Sequence, residues 1–566
     1  MSNTVQKKSL MTRFLNIVEK TGNKLPDPII LFFSLCVILA IVTAIVSQFD
    51  TRVVHPGTKE TISVKNILSH DGFVMFLNDA VKNFSTFPAL GIVLAVMLGI
   101  GVAEKSGYFD KLMIHVVSIA PEKIILPVII FVGMIGNVAG DAAPIVLPPL
   151  VAMIFMKLGY HPVAGLALAY AATLGGFAAN IFIGMQDALV YAFTEPAAHL
   201  IDKNIKMNVA MNWYFIAAST FFLLPILWYV TKKIVIPHLG PYDASQIDDT
   251  ESFENTTITP KEAKAVRWAN ISFILTLVAI ELLALPEHSW LRNAKTGSLI
   301  EDAPLMNGIG IILILVFVIP GLVYGFKSGT IKSSKDIGQM LTDSMASMGN
   351  FIVIVFFAAQ LLAFLTWSNL GIFIAVKGAE SLQNQNGVLL ILGLLILSGL
   401  INLIIGSASA KWALLGPIFV PMLLLLEFHP AFTQMIYRVG DSVTNPITPM
   451  MPYLPLLLTY AQKYDKNMKL GSLISSLMPY TIFLSIFWTA FLLIWYFLGL
   501  PVGPGVLYTN KRRTHRQNVS LVTPTGLFHY DFETIFPSSK YNIRSAYSNK
   551  RSSCVTIIPI VPFVFT

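Results

Sequence analysis

The sequence predicts an all-α polytopic membrane protein, an inverted-topology repeat with about nine transmembrane helices and two re-entrant hairpins. Three observations carry that reading. Of 566 residues, 55% are hydrophobic and only 12% charged, about half the charged fraction of a soluble domain, and mean hydropathy is +0.68. Apolar stretches of spanning length recur along the chain. One series of elements also occurs twice at a nearly constant offset. This composition excludes water-soluble enzymes, nucleic-acid binders and disordered scaffolds. The two cysteines, Cys36 and Cys554, build neither a disulfide framework nor a Cys-based metal site.

Residues 1–27 carry Lys7, Lys8, Arg13, Lys20 and Lys24 and are expected in the cytoplasm. The apolar run that follows, 28–48, is too long for the core of a signal peptide and lacks a small-residue cleavage site, so it is the first span. Further spans are expected at 86–103, 162–184, 210–231, 268–286, 306–326, 349–367, 431–452 and 472–499. The first transmembrane unit covers 28–232, a cytoplasmic loop 233–267, and the second unit 268–507.

Each unit contains a pair of apolar arms joined by a polar, glycine-rich tip. In the hairpin 122–158 the tip runs from Gly136 to Asp141; in the hairpin 387–428 it runs from Gly406 to Trp412. Such backbone is tolerated at membrane depth only when buried in protein or lining a wet cavity, which favours re-entrant hairpins. Two ordinary spans per pair are the alternative, more so for the longer second pair, and leave the sidedness unchanged. Along the nine crossings from a cytoplasmic N-terminus to residue 507, 20 Lys and Arg fall on the cytoplasmic side and 9 outside. That asymmetry obeys the positive-inside rule.

The repeat is legible as an order of elements. A span starts at 86 and again at 349, and an amphipathic piece follows at 106–118 and 369–381. Next come a hairpin tip near Gly140 and Gly406, then His161-Pro162 and His429-Pro430, then a polar-interrupted span, then a last span from 210 and 472. The offsets are 263, 266, 268 and 262 residues. One unit enters the membrane from outside and the other from the cytoplasm, the architecture of many secondary transporters.

In such folds broken helices direct their termini at ligands near the midplane. Breaks are expected at Gly136–Pro144, Gly175–Asp187, Asn402–Trp412 and Arg438–Pro449, the last because Pro446 and Pro449 remove helical donors. Ionisable residues inside spans are functional candidates by default. Arg438 and Asp441, three apart, suit one helix face, as a self-neutralising structural pair or as a substrate and coupling site. Asp187 has no basic neighbour in sequence. With Asn180 and Gln186 beside it, it suits sodium or a titrating proton, the competing reading being an interfacial carboxylate. Asp141 carries the same ambiguity. Trp412 is expected to stack on an aromatic ligand or to pack at the interface, and Lys411 to snorkel outward. No P-loop, His-Glu-x-x-His or G-x-S-x-G is present, so ATP-driven pumps, intramembrane metalloproteases and serine hydrolases lack their signatures.

The runs Gly406–Met422, Tyr437–Tyr453 and Gly176–Ile181, together with Asp187, resemble the AbgT family of p-aminobenzoyl-glutamate transporters, over roughly residues 10–507. Some members of that family are described as exporters of sulfonamide antimetabolites. The resemblance implies a homodimer in a bacterial inner membrane, each subunit with nine spans and two hairpins. It also implies a route lined by Asp187, Asn402, Ser409, Trp412, Pro430, Arg438, Asp441 and Pro449. The expected role is secondary transport of an aromatic carboxylate, without a cofactor, driven by a sodium or proton gradient. Arg438, Asn402, Ser409 and Trp412 would then contact substrate, and Asp187, Asn180 and Asp441 would serve the ion, with Asn180 and Asp187 as the expected sodium ligands. The alternatives are an exporter of p-aminobenzoate-like drugs, a dicarboxylate transporter, and a membrane-embedded enzyme using Asp187 or Asp441. Residues 508–566 fall outside the resemblance. They hold eight Lys and Arg against two acids, six of the net +8, so the charge reports an atypical basic tail rather than a nucleic-acid partner.

Overall fold

The computed structural model describes residues 28–506, apart from 50, 56–57, 140–141, 243–257 and 300–302. The expected cytoplasmic N-terminus 1–27, Asp141 at the first hairpin tip, the middle of the 233–267 loop and the basic tail 508–566 lie outside the described residues.

Helices make up the fold. The only sheet among the described residues is a two-stranded antiparallel ribbon, β1 (Val53–Val54) and β2 (Thr61–Ile62). It follows the apolar helix α1 (Pro28–Val46), whose Ile30, Ile38, Ile41 and Ile45 face outward as a lipid-facing helix requires. An amphipathic helix, α2 (His70–Ser85), comes next, its Ser69 cap accepting from the Gly72 N–H.

The first unit then runs through α3 (Pro88–Lys105), α4 (Tyr108–Ile119), the arms α5 (Ile125–Ile135) and α6 (Ala142–Lys157), α7 (Pro162–Tyr170), α8 (Met185–Ala198) and α9 (Trp213–Val230). Helices α10 (Pro260–Ala284), α11 (Ile309–Ser328) and α12 (Ser334–Ser347) connect it to the second unit. The series then recurs as α13 (Gly349–Trp367), α14 (Leu370–Leu382), the arms α15 (Gly387–Asn402) and α16 (Ala408–Leu425), α17 (Pro430–Thr444), α18 (Tyr453–Tyr464) and α19 (Leu470–Phe497).

Equivalent residues do equivalent work in the two units. His161 and His429 cap α7 and α17, their Nδ1 atoms accepting from the N–H of Val163 and Ala431 at 3.2 and 3.1 Å. In both helices proline takes the first turn, where its missing N–H costs nothing. At the hairpin tips, Asn137 Nδ2 donates to the Thr173 carbonyl at 2.8 Å and Asn402 Nδ2 to the Asp441 carbonyl at 2.9 Å. An asparagine thus pins each hairpin to the broken helix of its own unit.

The two polar-interrupted spans break where breaks are expected. In the stretch 162–184, α7 widens into a π turn over Ala171–Gly175, and the chain leaves the helix until Met185. The stretch 431–452 likewise ends α17 at Thr444, passes through a tight turn at Asn445–Ile447, and restarts only at Tyr453. Glycines and prolines stop both helices short of membrane thickness. Seven helices among the described residues are long and apolar enough to cross a bilayer, or eight if α4 and the segment Glu122–Val138, bent by 115°, count as one span. One of the seven is the hairpin arm α16, long enough to cross, as the alternative of two ordinary spans for the second pair allows.

Close packing at the centre leaves one glycine no latitude. A Cβ on Gly440 of α17 would lie 2.4 Å from the Leu395 carbonyl oxygen of α15. Gly440→Ala is therefore expected to destabilise the protein by about 1–3 kcal/mol through overpacking, read as a lowered melting temperature in detergent.

Candidate functional site

Helix α17 organises the site. From Pro430 to Val443 every residue is buried, so its polar side chains have no water to turn to. Gln434, Arg438 and Asp441 recur at helical spacing on one face. Buried polar groups must be satisfied within the protein, and each of these three finds its partners outside α17.

Arg438 reaches to α8, where its Nη1 donates to Asp187 Oδ1 at 2.6 Å, and both side chains are only 6% exposed. Asp187 sits in the first turn of α8, where its second oxygen accepts from the Gly184 N–H at 2.8 Å. A carboxylate there is favoured by the helix's unsatisfied donors. The expected Arg438–Asp441 pair is accordingly not formed. Asp441 instead pairs with Lys411 of the hairpin arm α16. The reason is reach: the long guanidinium crosses to α8, and the short Asp441 side chain meets an ammonium delivered by the hairpin.

Lys411 does not snorkel. It is fully buried, and its Nζ also donates to Asn402 Oδ1. Asn402, at the end of α15, offers its NH2 to the Asp441 carbonyl, to Thr444 Oγ1 at 2.8 Å and to Asn445 Oδ1 at 2.7 Å.

Trp412, equally buried, does not present its ring to an open space but stacks on Tyr437, centroids 4.5 Å apart and planes at 24°. Its Nε1 donates to Thr194 Oγ1 at 2.8 Å, and Thr194 donates to Gln434 Oε1 at 2.5 Å. Gln434 Nε2 continues the chain to Asn212 Oδ1 at 2.5 Å, and Asn212 Nδ2 ends it on the Ala431 carbonyl. Thr194, Asn212, Gln434 and Tyr437 escaped the sequence reading. The one signal that marked them was their being polar residues in apolar surroundings.

Other expected residues are placed apart. Ser409 lies in the first turn of α16, its hydroxyl 3.3 Å from that of the cap Ser407. Pro430 opens α17, and Pro449 lies in the stretch between α17 and α18. Asn180 donates to the Met134 and Ile135 carbonyls, at 3.5 and 3.4 Å, and its oxygen accepts from the Phe182 N–H at 2.9 Å. The Asn180 carbonyl and both Asp187 oxygens, the expected sodium ligands, are therefore already engaged by protein donors.

A small crevice of about 10 Å³, room for about one water, opens beside Arg438 and is bounded by Phe177, Gln186, Tyr437, Arg438, Asp441 and Ser442. Gln186 Oε1 is buried there without a hydrogen-bond partner. Asn402, Ser409, Trp412, Pro430 and Pro449 do not line this space. Chemically it offers a guanidinium, a carboxylate, a phenol ring and one free acceptor.

Residues 13–510 match the AbgT putative transporter family. The chain is 36% identical over 491 residues to the p-aminobenzoyl-glutamate transport protein of Escherichia coli strain K12, covering 86% of this chain and 96% of that one. Its fold is similar to the crystal structure of the YdaH transporter of Alcanivorax borkumensis, at a TM-score of 0.80 and 37% identity, covering 85% of this chain and all of that one. It is also similar to MtrF of Neisseria gonorrhoeae, described with a class of antimetabolite efflux pumps, at a TM-score of 0.82 and 41% identity over 87% of this chain and all of MtrF. These relatives are transporters and not enzymes, and the match extends over both repeated units. This multi-pass membrane protein belongs to the AbgT transporter family.

Proposed function

We propose that the protein is a secondary active transporter of p-aminobenzoyl-glutamate or a related aromatic carboxylate, coupled to a proton or sodium gradient. The observation that carries this is the buried Arg438–Asp187 pair beside a small crevice with a free acceptor, which must widen to admit a substrate. A substrate carboxylate displaces Asp187 from the guanidinium, a charge-assisted exchange that keeps Arg438 paired throughout. Asp187, then left anionic in a low dielectric, takes up a proton or a cation. That uptake is the coupling step, and by it neither ligand is expected to cross alone. The Gln186 oxygen accepts an N–H, of which p-aminobenzoyl-glutamate has two kinds, an anilinic amine and an amide.

The N-terminus is cytoplasmic in this reading, as the distribution of Lys and Arg favours. The two units are inverted, and the protein is a homodimer of a bacterial inner membrane. Export of p-aminobenzoate-like antimetabolites is a second reading, favoured by the 41% identity to MtrF.

Proteoliposomes given labelled p-aminobenzoyl-glutamate under separate proton and sodium gradients test the proposal. Expected is flux of unmodified substrate that follows one of the two gradients. Flux indifferent to both, or chemical conversion of the substrate, overturns it. Repeating the assay with a labelled sulfonamide inside the vesicles and the gradient reversed decides between import and export.

A further inference from the structure

Lys411 is not used by that mechanism, yet among the described residues it occupies the most enclosed position of any charge in the second unit, 0% exposed. We propose that its ammonium is a tethered cation. It fills, from within the chain, a position between Asn402 Oδ1 and the Asp441 carboxylate that would otherwise bind a free hard cation such as sodium. The second unit therefore carries a permanent ion and needs no exchangeable one.

Four observations converge on this. The partners of the ammonium are a carboxylate oxygen and an amide oxygen, the donor types that bind hard cations. The Asn402 oxygen has a fixed aim, because the NH2 of the same side chain is committed to Asp441 O, Thr444 and Asn445. Asp441 stands on a stretch of α17 that is buried throughout, so its carboxylate keeps its place whatever sits beside it. Finally, the charges balance in pairs: Arg438 with Asp187 and Lys411 with Asp441, both buried. Removing the ammonium alone leaves an anion in a shaped hole of cation size, and a buried unpaired carboxylate is the strongest drive for capturing a counter-ion. The hairpin supplies the mechanical element, since Lys411 lies in the first turn of α16, just behind the Ser407 cap at the tip.

Lys411→Met tests the idea, because it keeps most of the apolar stem and removes the charged terminal atom, leaving its place vacant. The purified protein in detergent is melted in sodium chloride and in choline chloride, a readout that requires neither substrate nor transport. The parent protein sets the baseline, which includes any sodium response that belongs to Asp187. Lys411→Met is expected to gain a rise of roughly 3–6 °C in sodium, by linkage of ion binding to folding. The double variant Lys411→Met with Asp441→Asn, which removes both charges, is expected to lose that sodium response. In proteoliposomes, Lys411→Met flux should require sodium on the side where the site opens. This arm alone rests on the transporter reading, so its failure with an intact melting response would count against that reading instead. A sodium response that Lys411→Met shares unchanged with the parent protein overturns the tethered cation. So does a Lys411→Met variant that is indifferent to sodium, whether folded or unfolded in both salts.

Discussion

Arg438→Ala is expected to abolish transport and to cost about 3–5 kcal/mol of stability, the penalty for breaking a buried ion pair from one side. The variant strands the Asp187 carboxylate, 5% exposed, with the Gly184 N–H as its remaining partner. Removing Asp187 as well is expected to restore most of the lost stability, because two well-packed neutral groups are tolerated where one lone charge is not. It should not restore transport, since the carboxylate-binding charge is gone. Melting temperature and flux, measured on the single and double variants, separate the two roles. Recovery of flux in the double variant would remove Arg438 from substrate binding and leave it a structural partner.

The second large effect is expected at Trp412. Trp412→Ala deletes a fully buried indole, its stack on Tyr437 and its bond to Thr194, and should cost about 3–5 kcal/mol. Trp412→Phe keeps the stack and loses the donor, for a cost of about 1 kcal/mol. Because the ring does not line the crevice beside Arg438, Trp412→Phe is expected to lower the melting temperature while leaving the KM for substrate nearly unchanged. A large rise in KM at parental stability would place the indole on the substrate instead.

These two sites show where sequence reasoning succeeds and where it stops. The spans, the hairpin tips, the breaks at Gly175-Gly176 and Pro446, and the doubled order of elements were legible because hydropathy and backbone punctuation are local properties. Partner choice was not legible. The nearest opposite charge to Arg438 in sequence is Asp441, three residues away, and the actual partner is 251 residues away. Nothing in the local pattern encodes that distance; it is set by how the second unit closes on the first. Lys411 misled for a related reason. A lysine next to a hairpin tip has the length to reach water, and only tertiary packing decides that it turns inward to Asp441 instead. The amphipathic α2, too short on apolar residues to register as a span, was also passed over.

The polar ties that cross from one unit to the other bear on how the molecule moves. Thr194 to Trp412, Asn212 to Gln434, Arg438 to Asp187, the Ala178 N–H to Ser442 and Asn445 to the Leu174 carbonyl together stitch a seam through the protein's middle. Hydrocarbon on one side of a helix packs as readily against lipid tails as against another helix, so an oily seam would carry little memory of its closed position. A stitched seam is different. Each tie undone must be remade at once, with water, with an ion or with a polar passenger, because the surroundings tolerate no loose ends. Such a joint stays shut when nothing polar is present and yields only to a guest able to take over its bonds one for one. The lock and the test of the cargo are then the same set of bonds.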